Sequence, residues 1–130
     1  MKRRVLFYVQ HLLGIGHLRR AATLVRAMDA AGLEVTLVSG GSPVPGLDLG
    51  GARLWQLPPV RAVDLYFKEL VDENDQLIDD AWRARRADAL MTAWQETNPH
   101  ILMFELFPFG RRQMRFELLP LLDVAIAQLN

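Results

Sequence analysis

Two short segments of this 130-residue chain hold the residue types that do chemistry. The first is Gln10-His11-Leu12-Leu13-Gly14-Ile15-Gly16-His17. Glycines let a backbone approach a ligand closely, and a helix opening at His17 presents its positive end to an anion. His17 is a candidate general base, or a hydrogen-bond partner for a phosphate or a sugar hydroxyl. The second segment is Glu105-Leu106-Phe107-Pro108-Phe109-Gly110-Arg111-Arg112. Glu105 directly follows the apolar run Ile101-Leu102-Met103-Phe104. A carboxylate at the carboxyl end of a strand is well placed to take a proton from a hydroxyl. Phe107, Phe109 and Arg111, with Arg112, Arg115 and Phe116 beyond them, mix aromatic and basic character suited to a sugar ring, a lipid headgroup or a phosphate.

Each residue also has a plainer reading. Gly14 and Gly16 fit a tight turn. His17 fits a helix-start residue that packs locally. Glu105 fits a helix cap, or an ion-pair partner of Arg111 or Arg112. The Phe107–Phe116 group fits core packing plus a solvated helix face. Of the other histidines, His11 is less suited to act and His100 follows Pro99, away from both segments. The three histidines lack metal-ligand spacing and there is no cysteine, so no metal site is expected. Arg83, Arg85 and Arg86 read as a solvated helix face.

Two common nucleotide motifs are excluded. A dinucleotide fingerprint needs a third glycine where this chain has Arg19, and an acid after strand two where it has Ser39-Gly40. No GxxxxGK[ST] run occurs, so a P-loop is absent.

The elements that would position these segments follow from hydrophobic periodicity. Val5 to Val9 is a continuous β-prone apolar run, as in a parallel strand buried on both faces. From His17, the residues Leu18, Ala21, Ala22, Val25 and Met28 recur at helical intervals, and Gly32 suits the C-cap. Glu34 to Val38 is strand two. Ser39-Gly40-Gly41-Ser42-Pro43 breaks the chain. Ala52 to Leu57 is strand three, stopped by Pro58-Pro59. Residues 60–75 suggest a lid-like segment. A helix is predicted from Asp75 to Thr97, with Leu77, Ala81, Ala84, Met91 and Trp94 on its buried face. A short strand spans Ile101 to Phe104, and residues 111–129 are helical with a kink at Pro120.

The pattern predicts an α/β fold, a Rossmann-like parallel sheet with helices on both faces, in a single domain over residues 1–130. Right-handed crossovers would place strand two and the 101–104 strand on opposite sides of strand one. The two chemistry-bearing loops would then face each other across a crevice at the switch point. Fifteen basic and fifteen acidic side chains cancel, giving no general attraction to nucleic acid. No apolar run reaches the roughly 18–20 residues of a membrane span. The lack of cysteine fits a cytoplasmic location.

The strand followed by Gly14-Ile15-Gly16-His17-Leu18-Arg19-Arg20-Ala21 resembles the start of GT-B glycosyltransferases related to the UDP-N-acetylglucosamine transferase of peptidoglycan synthesis. It is also similar to a bacterial group of predicted glycosyltransferases with a Gly-x-Gly-His-x-x-Arg start and a Glu-x-Phe-Pro-Phe-Gly-Arg segment, matched by Glu105 to Arg111. The likeness spans essentially the whole chain.

The resemblance implies the N-terminal, acceptor-side half of a two-domain architecture, with a nucleotide sugar (a UDP-sugar) as donor substrate and no built-in cofactor or metal. Its expected partners are that donor, an acceptor, and a C-terminal donor-binding domain in cis or on a separate chain. Peripheral contact with the inner face of a membrane belongs to the same expectation. Carried over by position, His17 and Glu105 become catalytic candidates. Gly14, Ile15, Gly16, Phe107, Phe109, Gly110 and Arg111 become substrate-binding candidates. The peptidoglycan enzyme has a longer glycine-rich loop, which separates this chain from its lipid-linked acceptor. No second β-α-β set follows within the 130 residues, so transfer is not expected from this stretch alone. The readings from other classes are a non-catalytic flavodoxin-like binding module, a recruiting subunit and an epimerase of the same two-domain architecture.

Overall fold

An apolar strand with no polar face needs cover on both sides. The first strand, β1 (Arg4–Val9), has it: Val5 to Val9 are all buried. The computed structural model describes residues 2–66, 68–105 and 112–129. Alternate β1 side chains serve two separate cores. Val5, Phe7 and Val9 pack with Leu18, Ala21, Ala22 and Val25 of α1 (Gly16–Ala30). Leu6 and Tyr8 pack on the other face with Trp82, Leu90, Ala93 and Trp94 of α2 (Asp80–Thr97), and with Leu118 and Leu121 of α3 (Arg115–Leu129). Each of the buried Val, Leu and Phe side chains contributes roughly 1.5–3 kcal/mol.

The sheet has four strands, ordered β3-β2-β1-β6 and parallel throughout, with β2 at Glu34–Ser39, β3 at Arg53–Gln56 and β6 at Ile101–Phe104. Val5 pairs with Val35 on one side and with Ile101 on the other. The chain is therefore an α/β fold, a Rossmann-like parallel sheet with helices on both faces, and its strand order reverses at β1. No described helix is long and apolar enough to cross a membrane.

Three expectations need correction. The long helix starts at Asp80, not Asp75. Asp79 is its N-cap, accepting from the Trp82 N–H at 2.8 Å. The preceding acids form a turn instead, in which Asp72 Oδ1 accepts from the Asn74 and Gln76 amides. The buried face of α2 is also rotated from the expected one. It runs through Trp82, Arg86, Leu90, Ala93 and Trp94, whereas Leu77 lies outside the helix and is 61% exposed. Finally, Arg86 is fully buried rather than part of a solvated face.

The segment expected to be lid-like is an antiparallel hairpin of β4 (Arg61–Ala62) and β5 (Leu70–Val71). At the chain's C-terminal side, a 3-10 turn over Arg112–Met114 leads into α3. That helix continues through Pro120, which has no N–H to offer the Phe116 carbonyl.

Candidate functional site

The crevice lies where the strand order reverses. The Glu105 N–H donates to the Tyr8 carbonyl at 3.0 Å, extending the β1–β6 ladder by one residue. That bond sets Glu105 beside the start of the 10–17 loop. At Glu105 the second segment meets the first: His17 Nδ1 and Glu105 Oε1 lie 3.3 Å apart, across 88 residues of sequence. The carboxylate side chain is 10% exposed and the imidazole 42%. Arg20, one turn along α1 from His17, brings its Nε to 3.9 Å from the same carboxylate oxygen.

The arrangement has a definite chemical capacity. With the proton on Nδ1, His17 donates to Glu105 and keeps the Nε2 lone pair free. A half-exposed imidazole oriented by a buried carboxylate can take a proton from a bound hydroxyl. Glu105 then acts through the ring, fixing its tautomer and stabilising the imidazolium that forms.

Beside the pair is a cavity of about 690 Å³ lined by Leu12, Leu13, Gly14, Gly16, His17, Arg20 and Leu65. Gly14 and Gly16 both line it, and neither lies in the left-handed region of φ. A Cβ added to either would meet nothing within 4 Å among the described residues. Within the described residues, neither a positive φ nor packing calls for a glycine at either position. The start of α1 is left open as well. Ile15 occupies the N-cap position, which has no side-chain cap bond, and its first turn has no acid. Among the described residues no side chain caps its leading N–H groups, whose positive dipole end suits an anion.

Known protein families, curated proteins and solved structures were compared with the chain. None matches.

Among the site residues expected from sequence, Gly14, Gly16 and His17 line the cavity, Glu105 meets His17, and Ile15 stands at the N-cap between the two glycines. Phe107, Phe109, Gly110 and Arg111 lie outside the described residues. Arg112 and Arg115 are exposed, and Phe116 packs edge-on against Trp82 at 6.3 Å, a core role. His100 accepts from the Arg4 amide at 3.0 Å, at the far end of the sheet. His11 is 4% exposed, and its ring fills the space where Gly41 has no side chain.

Sequence reading missed Arg20 and Leu65. Arg20 follows His17 by one helical turn, a spacing that places both on one face. Leu65 had no comparable signal, because it arrives from the hairpin. A second cavity, of about 380 Å³, sits at the amino ends of the strands among Lys2, Arg4, Glu34, Arg53 and Glu96. Its charges are mixed, and it lies at the opposite end of the strands from the His17–Glu105 pair.

Proposed function

We propose that this chain is the acceptor-side domain of a GT-B glycosyltransferase and transfers a sugar from a nucleotide sugar to an acceptor hydroxyl. The observation that carries this reading is the His17–Glu105 pair. It joins the two segments that bear the family resemblance, at the carboxyl ends of adjacent strands. In this reading His17 removes the acceptor proton through Nε2 while Glu105 holds the ring. The hydroxyl oxygen attacks the anomeric carbon, and the nucleoside diphosphate leaves. The open N-terminus of α1 and Arg20 offset the charge that develops on the leaving phosphates. Most donor contacts would come from a second domain, in cis or on a separate chain, as the resemblance implies.

The test is turnover of a panel of UDP-sugars and acceptors by the intact gene product. His17→Ala is expected to lower turnover by about 10²–10⁴-fold, the usual scale for a general base. Glu105→Gln keeps an acceptor for Nδ1 but removes the charge, so a smaller loss is expected. Near-wild-type turnover in both variants sinks the assignment. A melting shift with FMN, and none with nucleotide sugars, favours the binding-module reading instead.

A further inference from the structure

A guanidinium with no access to water must be satisfied by the protein around it. Arg86 is such a group, and its partners come from the carboxyl ends of three strands. Nη1 donates to the Pro58 carbonyl at 2.9 Å and to the Gly40 carbonyl at 3.3 Å. Nη2 pairs with Glu117 of α3 at 3.0 Å and donates to the Gln10 side-chain oxygen. Gln10 follows β1, Gly40 follows β2, and Pro58 lies just past β3. Tyr8 completes the cluster by donating its hydroxyl to Glu117 at 2.7 Å.

The Gln10 contact matters for the crevice. An amide has one acceptor end and one donor end. The guanidinium claims the oxygen, so the NH₂ must point the other way. There it donates to the His11 carbonyl at 2.9 Å and to the Val60 carbonyl at 3.1 Å. One step further on, the Ala62 N–H donates to the Leu12 carbonyl at 2.8 Å. These bonds join the 10–12 loop to the base of the hairpin. The same two segments supply opposite parts of the cavity wall: Leu12 and Leu13 from the loop, Leu65 from the hairpin.

We propose that Arg86 is a positioning residue for the crevice, acting through the Gln10 amide to hold the hairpin wall against the glycine-bearing loop. A buried charge retained here orients one side chain whose flip would release both backbone partners. The role is read from geometry. Its importance to turnover rests on the proposed transferase function, whereas the positioning itself is measurable without substrate.

The experiment is amide hydrogen exchange on the intact protein, followed at Ala62 and compared with Leu37 in the centre of the sheet. Arg86→Lys keeps the buried charge beside Glu117 but has a single nitrogen, which cannot reach Gln10, Gly40 and Pro58 together. Gln10→Leu leaves the ion pair with Glu117 in place and removes the relay. Both are expected to speed Ala62 exchange by roughly tenfold, the scale of one lost hydrogen bond, with Leu37 unchanged. If Arg86→Lys fails to fold, Gln10→Leu decides alone. Ala62 protection that stays at the wild-type level in Gln10→Leu overturns the proposal, as does equal loosening at Ala62 and Leu37. A protein without transferase activity that still shows the selective loosening keeps the positioning role and removes only the functional reading.

Discussion

Two glycine pairs sit within a few residues of the crevice, and they are glycines for opposite reasons. At Gly40 an added Cβ would overlap Arg86 Nη2 and Gln10 Oε1, and at Gly41 it would overlap the His11 ring. At Gly14 and Gly16 it would meet open space. The first pair is dictated by the protein's own side chains. The second is unexplained by anything within the described residues, and it borders the cavity beside the His17–Glu105 pair. Identical residues thus separate what the fold requires from what a ligand would require.

The largest effect expected on the closed side comes from Arg86→Met, which strands a buried carboxylate. A loss of about 3–5 kcal/mol is expected in urea unfolding, with most of it recovered in the Arg86→Met/Glu117→Met double variant. A double variant as unstable as the single would mean that the apolar pair does not fill the site. Next is Gly40→Ala. Nη2 is the tip of a long side chain, but Gln10, Tyr8 and Glu117 hold it, so the overlap cannot be relieved cheaply. About 1–3 kcal/mol is expected. A neutral result would show that Arg86 has room to move.

The same cluster predicts a pH dependence. Burial pushes the Glu117 carboxyl above its ordinary value, with Arg86 and the Tyr8 hydroxyl opposing the shift. Burial and the nearby Glu117 charge raise the Tyr8 phenol well above its ordinary value. The folded state therefore holds the Glu117 proton more tightly than the unfolded chain does. Its contribution to stability is complete below the unfolded carboxyl range and is lost as pH rises towards the folded value. Glu117→Gln should abolish that fall, as read from urea midpoints across pH. A slope unchanged in the variant assigns the effect to another group.

The smallest effects belong to the open side. Gly16→Ala is expected to leave stability unchanged or raise it by up to about 1 kcal/mol, because the unfolded chain loses freedom and no contact is made. The same substitution should weaken the melting shift given by a UDP-sugar. Weakened stability with unchanged ligand response would reverse the comparison.

These differences also mark where sequence was legible. The β1 run, the α1 periodicity and the short β6 strand each carry enough local pattern to place the switch point. From that placement alone, His17 and Glu105 could be expected to face each other. Arg86 was not legible because it belongs to a run, Arg83-Ala84-Arg85-Arg86, whose charges suggest water. A usable signal was present all the same. Trp82, Arg86, Leu90 and Ala93 fall on one helical stripe, and Glu117 stands alone among Phe116, Leu118 and Leu119. One cation in an apolar stripe and one acid flanked by apolar residues suggest a pair. The hairpin had no such signal. Its strands are two residues each, and bonds to residues distant in sequence, such as the Ala62 N–H to the Leu12 carbonyl, help to define it.

The overlap at Gly40 has a historical consequence. A residue larger than alanine there meets both Arg86 and Gln10, so it is tolerated only in a background where both have already been shortened. Shortening Arg86 is itself harmful until Glu117 has lost its charge. Substitutions in a diverging lineage must then come in a set order: Glu117 first, Arg86 next, Gly40 last. Gly14 and Gly16 stand outside that sequence of permissions, since no described side chain constrains them.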